Sequence, residues 1–249
     1  DDVRKLYADV CNPFLWMLSI AGNFDSKELL DVIEKATRQW TGKPQPVLSV
    51  SLRATQIPDV DVPMQRDQVF VQYVRESPLP LSEISVDRVA VDLLSSIYFG
   101  GLSARMFKLR EATGIFYTFG GVLASPTPTG FERTQDSVHS IVSPEKLQEA
   151  CVLFESFLRN VFSSPVTQDE FDIAVHALRS KIAESAVGSL SLAQHFVNLM
   201  FFNRDEDYRR RYLLVLDSLT PEVVQEVAVR YAQNGKFVRV RVGTIPNPV

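Results

Sequence analysis

Residues 100–117 read Gly-Gly-Leu-Ser-Ala-Arg-Met-Phe-Lys-Leu-Arg-Glu-Ala-Thr-Gly-Ile-Phe-Tyr. Upstream, Val86, Val89, Ala90, Leu93, Leu94 and Ile97 recur at helical spacing and predict an amphipathic helix with one buried face. Gly100-Gly101 breaks that helix. Ser103 to Ala112 predicts a second, shorter one. Gly114 ends it, because a residue without Cβ takes the left-handed C-terminal cap most easily. Two strands are expected next, at about 115–125 and 131–141. Pro126-Thr127-Pro128-Thr129-Gly130 joins them as a hairpin with a longer loop.

The pattern extends in both directions. Residues 2–10 read as the end of a helix. Asn12-Pro13 follows, then the apolar run Phe14 to Ala21, which predicts a strand covered on both faces, then Gly22. Asp25 with Glu28 resembles a capping box, and Leu29, Leu30, Ile33 and Ala36 share a side of the helix it opens. From 41 to 64, Gly42, Pro44, Pro46, Pro58 and Pro63 punctuate a stretch without helical period, the best linker candidate in the chain. Val69 to Val74 predicts a strand. Beyond the hairpin, Ser143-Pro144 opens a helix on which Leu147, Cys151, Phe154 and Leu158 face inward. Thr167 and Glu170 cap the next, with Phe171, Ala174, Val175, Leu178 and Ile182 inward. Residues 190–202 and 205–217 predict two more, and Thr220-Pro221 starts the last, with Val224, Val227, Ala228 and Tyr231 inward. After Asn234-Gly235, Lys236 to Val242 alternates and predicts a half-exposed strand, with Val238, Val240 and Val242 on one face and Arg239 and Arg241 on the other.

A hairpin beside helical layers favours an α+β class over a doubly wound parallel sheet. Helix, Asn12-Pro13, apolar run and Gly22 near the start echo helix, Asn234-Gly235, strand and Gly243 near the end. The two glycines lie 221 positions apart (243 − 22). A repeat of that length would make the first 40 residues the tail of an earlier copy.

Composition limits the function classes. The chain has 249 residues, 26 basic and 30 acidic side chains, a formal net charge of −4, 45% hydrophobic and 22% charged residues. These are globular proportions, and the weak acidity argues against nucleic acid as a partner. No run of about 18 apolar residues predicts a membrane span. The chain opens on Asp1, Asp2, Arg4 and Lys5, with neither initiator Met nor signal pattern, which reads as a processed or excised chain. Two cysteines, Cys11 and Cys151, make no disulfide framework, and Cys151 reads as a core thiol.

Catalytic motifs are missing from the residues themselves. His139, His176 and His195 have no partner at metal-ligand spacing, and neither H-E-x-x-H nor H-x-x-E-H occurs. There is no G-x-S-x-G and no phosphate-binding G-x-x-x-x-G-K-[ST]. Gly100-Gly101 and Gly120-Gly121 read as turns or close-packing points. Asp169/Glu170 and Asp205/Glu206/Asp207 read as first-turn acids that offset the helix dipole, and Arg209-Arg210-Arg211 as a solvated face.

Residues 100–117 nevertheless resemble the signature of the pitrilysin (insulinase-like) zinc metallopeptidases, in the half that follows the catalytic half. That run reads roughly G-G-x-x-S-R-L-F-x-x-L-R-E-x-x-G-L-A-Y. Phe14–Ala21 with Gly22-Asn23-Phe24-Asp25 is similar to the family's apolar strand and G-D-F-D turn. Val166 to Glu170 is similar to its V-T-x-x-E-L helix start, and Leu219 to Val224 and Val238 to Gly243 to its last helix and strand. The likeness runs in order along essentially the whole chain and extends to mitochondrial processing peptidase subunits.

The resemblance implies an α/β roll, a mainly antiparallel sheet backed by helices. It implies residues 1–40 as the tail of the catalytic half, 41–64 as an extended linker, 65–243 as the C-terminal substrate-binding half and 244–249 as a tail. It implies no catalytic residue, metal ligand or cofactor in this chain, with zinc held by H-x-x-E-H on a catalytic half or partner subunit. The substrate would be a peptide or unfolded protein. Arg110 and Tyr117 match the family's Arg and Tyr, seven residues apart, and would bind a peptide carbonyl and the oxyanion formed from it. A cleft-facing strand would add backbone pairing. Location stays open between bacterial periplasm and cytoplasm.

The sequence departs from the pattern in three places. Ala104 replaces a Ser and loses a local hydrogen bond. Ala112-Thr113 replaces a basic pair, and Phe116 replaces a small residue, so it either narrows the cleft or fills core space. Two other readings remain. One is a non-catalytic structural or assembly protein of the same fold, like respiratory-complex core subunits. The other is an independent peptide-binding module. An upstream H-x-x-E-H separates the peptidase from the scaffold, and a peptide-binding assay addresses the module.

Overall fold

A computed structural model describes residues 1–42, 58–80, 84–127, 130–185 and 187–246. In chain order these form α1 (Asp2–Val10), α2 (Ser26–Thr37), β1 (Val60–Pro63), β2 (Val69–Ser77), α3 (Val86–Phe99), α4 (Arg105–Thr113), β3 (Thr118–Thr127), β4 (Gly130–Val142), α5 (Leu147–Asn160), α6 (Gln168–Glu184), α7 (Ser189–Phe201), α8 (Tyr208–Ser218), α9 (Pro221–Tyr231) and β5 (Val238–Gly243). Two compact units result, Asp1–Val50 with Ala183–Glu206, and Ser51–Ile182 with Asp207–Val249.

In the first unit, Asp25 caps α2 by accepting hydrogen bonds from the Lys27 and Glu28 amides, both at 2.9 Å. The strand expected at Phe14–Ala21 does not form. Pro13–Leu15 is a 3-10 turn, and the following residues take no regular structure. A strand needs a neighbour to bond its backbone, and among the described residues this unit has no other strand. Phe14, Trp16, Met17, Leu18 and Ile20 are left exposed.

The second unit holds a five-stranded sheet in the order β1-β5-β2-β4-β3. Only β1·β5 is parallel; β2·β5, β2·β4 and β3·β4 are antiparallel. The fold is α+β, a mainly antiparallel sheet backed by helices. Val69, Val71 and Tyr73 of β2 face the helices together with Val138 and Val142 of β4, and all are buried. Val89, Ala90, Leu93, Leu94 and Ile97 of α3, Cys151 and Phe154 of α5, and Val224, Val227 and Ala228 of α9 complete one apolar core. The helical spacing that predicts α3, α5 and α9 thus names the faces they bury, except that Val86, expected inward at the start of α3, is exposed. Cys151 is a core thiol, and burial pushes its pKa up.

Within the stretch that lacks helical period, 41–64, residues Val60–Pro63 form the edge strand β1 alongside Val240–Gly243; residues 43–57 lie outside the described residues. Three local expectations need correction. In β5 the half-exposed face is the valine face. Val71↔Arg241 and Tyr73↔Arg239 put both arginines on the helix side, where Arg241 is 5% exposed. Carboxylates make this tolerable: Arg241 Nε and Nη2 donate to Asp61 at 2.6 and 2.5 Å, and Arg239 reaches Glu155 at 3.0 Å and Asp59 at 3.1 Å. The acids at 205–207 precede α8 rather than filling its first turn. Finally, Ser143-Pro144 opens a 3-10 turn, and α5 begins at Leu147.

The sheet also buries a charge. Arg75 donates from Nε to Asp136 Oδ2 at 2.7 Å and from its other nitrogens to the carbonyls of Tyr231, Ala232 and Gly235. Its guanidinium lies 4.5–5.2 Å from the ring centroids of Phe237, Phe162 and Tyr231. Asp136 accepts further bonds from the Tyr231 hydroxyl at 2.5 Å and the Ala124 amide at 2.9 Å, so the pair is satisfied.

Candidate functional site

The segment that carries Arg110 and Tyr117 is fixed from both ends. At its start α4 has Ala104 in the N-cap position, with no side-chain cap. Arg105 takes over the anchoring. Its Nε and Nη2 grip Glu170 at 2.9 and 2.7 Å, Nη1 donates to the carbonyls of Val161 and Ser164, and Nη2 also donates to that of Pro165. The guanidinium sits 5.4 Å from the Tyr98 ring centroid. Thr167 and Glu170 form the expected capping box, the Glu170 amide donating to Thr167 Oγ1 and the Thr167 amide to Glu170 Oε2. Arg105 first, and the Thr167 amide after it, hold the Glu170 carboxyl down at about 2.

At the other end Gly114 takes φ 62° and donates its amide to the Arg110 carbonyl at 2.8 Å, closing α4. Thr113 turns its hydroxyl back to the Leu109 carbonyl. Lys146 Nζ donates to the Gly114 carbonyl. Ile115 and Phe116 then dive into the core. Phe116 is 3% exposed and meets Phe154 edge to face at 5.0 Å, so this aromatic fills core space. Tyr117 donates its amide to the Ile141 carbonyl at 3.0 Å, which locks the start of β3 to β4.

The two candidate side chains remain accessible. Tyr117 is 68% exposed and the Arg110 side chain 34%. Arg110 Nε donates to the Phe116 carbonyl at 3.2 Å, and Nη1 to Glu111 Oε1 at 3.0 Å. The guanidinium is therefore tied to the peptide unit that leads into Tyr117, with Phe107 5.7 Å away. Among the described residues, neither Arg110 Nη2 nor the Tyr117 hydroxyl has a hydrogen-bond partner. A groove of about 320 Å³ lies between the end of α3 and the start of α6, lined by residues that include Ser96, Ser103, Lys108 and Asp169. Neither Arg110 nor Tyr117 lines it.

The histidines lie on three different elements. His139 sits in β4 with its ring 5.7 Å from Phe70 and close over Gly120, whose added Cβ would meet it at 2.6 Å. Gly121 is packed as closely on Phe99, so the Gly120-Gly121 pair is a close-packing point. His176 lies exposed on α6, and His195 lies on α7. Among the described residues, no group of three or more His, Cys, Asp or Glu could hold a metal ion, and no helix is long and apolar enough to cross a membrane. A catalytic zinc does not fit the residues described here.

Sequence reasoning missed two anchors of this segment and of the sheet. Arg105 stands inside the quoted run, but its partner Glu170 is 65 positions away and reads locally as a capping residue. Arg75 and Asp136 sit directly opposite each other on neighbouring strands, and only the register of β2 on β4 reveals it.

Comparison with known proteins defines the class. The profile of the peptidase M16 inactive domain matches residues 1–178. The chain belongs to that family, the non-catalytic half of insulinase-like proteases. No curated protein sequence matches it. Among solved structures, the peptidase M16 inactive domain from Pseudomonas fluorescens superposes with TM-score 0.68 at 18% identity, over 90% of this chain and 53% of that one. A predicted insulinase family protease from Yersinia pestis gives 0.66 at 16%, over 92% and 51%. The periplasmic protease PqqL from Escherichia coli gives 0.64 at 16%, over 91% and 25%. The chain thus spans about half the length of the first two and a quarter of the third. At these identities the likeness is one of fold.

Proposed function

We propose that this chain is the zinc-free, substrate-binding C-terminal half of a zinc-dependent metalloendopeptidase. Residues 1–40 are the tail of the preceding catalytic half, 41–64 the linker, 65–243 the substrate-binding half and 244–249 a tail. Zinc is held by an H-x-x-E-H motif on another domain or subunit, and the metal chemistry belongs there. The substrate is a peptide or unfolded protein.

Arg110 and Tyr117 hold the scissile carbonyl. The observation that carries this reading is the bond from Arg110 Nε to the Phe116 carbonyl. It sets the guanidinium beside the backbone entering Tyr117 and leaves Nη2 free to donate. A guanidinium and a phenol are both donors at neutral pH, suited to a carbonyl that gains negative charge. Their anchors are already in place: Gly114, the Tyr117 amide and buried Phe116 fix the turn, so little reorganisation is needed when charge develops. One such donor is worth about 3 kcal/mol in the transition state.

Mixing this chain with the half that carries H-x-x-E-H tests the reading. The expected result is peptide hydrolysis by the pair and none by either alone, with no zinc bound to this chain at micromolar concentrations. Stoichiometric zinc on this chain, or full activity of the other half alone, would refute it.

A further inference from the structure

The groove between the end of α3 and the start of α6 is bordered by charges of two kinds. Arg105 and Glu170 satisfy each other, and Glu170 commits its oxygens to Arg105 and to the Thr167 amide. Lys108 of α4 and Asp169 of α6 line the same groove. Among the described residues, neither the Lys108 ammonium nor the Asp169 carboxylate takes part in an ion pair or a side-chain hydrogen bond. The Ser96 and Ser103 hydroxyls, also in the lining, have no partner there either. The Thr167 hydroxyl is spent on Glu170, donating to Oε2 and accepting from the amide. Ile97, Ile173 and Ala174 supply apolar wall, and Ile173 is 50% exposed.

These groups restrict what the groove can hold. A simple anion would pair with Lys108 but would also face the Asp169 and Glu170 carboxylates. A metal ion or other simple cation would face Lys108, and of the two carboxylates Glu170 is already taken. A ligand that carries both signs, with a polar group between them, meets every unpaired group at once. The volume, about 320 Å³, lies at the small end of ligand clefts, which run from about 300 to 1,000 Å³. A dipeptide with free ends has this character. It spans about 7 Å when extended, carries an ammonium and a carboxylate at its ends, and places one amide between them. A serine hydroxyl both donates and accepts, so Ser96 and Ser103 suit that amide.

We infer that this groove binds a short zwitterionic peptide of dipeptide size, its carboxylate on Lys108, its ammonium on Asp169 and an apolar side chain against Ile97 and Ile173. The ligand runs from α4 to α6. Arg105 and Lys108 are three residues apart, neighbours on the surface of α4, and Glu170 and Asp169 are adjacent on α6. The peptide therefore lies alongside the Arg105–Glu170 clamp and makes a second tie between the same two helices. Because it binds the folded state, it also raises the stability of the chain by mass action. This site is separate from the carbonyl-binding role of Arg110 and Tyr117, neither of which lines the groove, and it stands whether or not that role does.

The test is calorimetric titration of the full 249-residue chain with the dipeptide Ala-Leu and with two blocked copies, N-acetyl-Ala-Leu, which lacks the ammonium, and Ala-Leu amide, which lacks the carboxylate. The inference predicts that Ala-Leu binds and that each block weakens binding about threefold to tenfold, the worth of one accessible charge contact. Two variants then assign the ends. Lys108→Met should bind Ala-Leu and its amide equally while still preferring a free ammonium. Asp169→Asn should bind Ala-Leu and its acetyl form equally while still preferring a free carboxylate. Both side chains are exposed; should either variant fail to fold, the blocked peptides on the parent chain still decide. Arg110→Ala is expected to leave the affinity for Ala-Leu unchanged. No binding at about 10 mM Ala-Leu, or equal binding of the free and blocked peptides, would overturn the inference. So would discrimination between them that survives both Lys108→Met and Asp169→Asn, or affinity lost in Arg110→Ala, since either would put the peptide elsewhere on the chain.

Discussion

Arg105 and Glu170 meet through two parallel N–H···O contacts, 2.9 and 2.7 Å long, that bind the start of α4 to the start of α6. The Glu170 carboxyl is held near 2, below its ordinary 4.5. A depressed folded-state pKa stabilises the fold fully above the unfolded value and loses that contribution as pH falls through the folded one. The account therefore predicts a loss of stability between about pH 4.5 and pH 2 that Glu170→Gln abolishes. At neutral pH the same substitution should cost about 2 kcal/mol, the worth of a hydrogen-bonded charged pair. Urea titrations of both proteins at several pH values measure it; parallel pH profiles would count against the clamp.

Asp136 lies fully buried against Arg75. Removing one partner of such a pair leaves a charge stranded inside the protein. Asp136→Ala is predicted to destabilise by about 4 kcal/mol, enough to unfold much of the population of a marginal domain. Its denaturation midpoint decides the matter, and a change under about 1 kcal/mol would mean that Arg75 finds water or another acceptor.

The edge strand β1 is held to β5 by Asp61 on Arg241, with side chains only 3% and 6% exposed. Asp61→Asn should release this edge while the rest of the sheet stays closed, because β2, β4 and β5 pair independently of it. Amides of residues 60–62 are expected to exchange at least about tenfold faster, with those of 69–77 unchanged. Uniform acceleration across the sheet would instead place Asp61 in the global core.

Much of this architecture was legible before any coordinates. Helical spacing located α3, α5 and α9 and their buried residues, and Gly114 marked the turn between α4 and β3. These signals are local. The failures that concern strands share a physical cause, since they depend on a partner far away in sequence. Phe14–Ala21 is apolar enough for a strand but has no neighbour to bond among the described residues of its unit. In β5, alternation alone cannot say which face meets the helices, and Arg239 and Arg241 go inward only because Asp59, Asp61 and Glu155 wait there. Arg110 and Tyr117 were picked out by resemblance, and nothing in their own residue types distinguished them from a helix-end arginine and an edge tyrosine.

The most direct test of the account is the steady-state kinetics of Arg110→Ala in the peptidase proposed above, this chain combined with a half that carries H-x-x-E-H. If Arg110 donates to the carbonyl as negative charge develops, kcat/KM falls by about one to three orders of magnitude, chiefly through kcat. Kinetics indistinguishable from those of the parent would contradict the account.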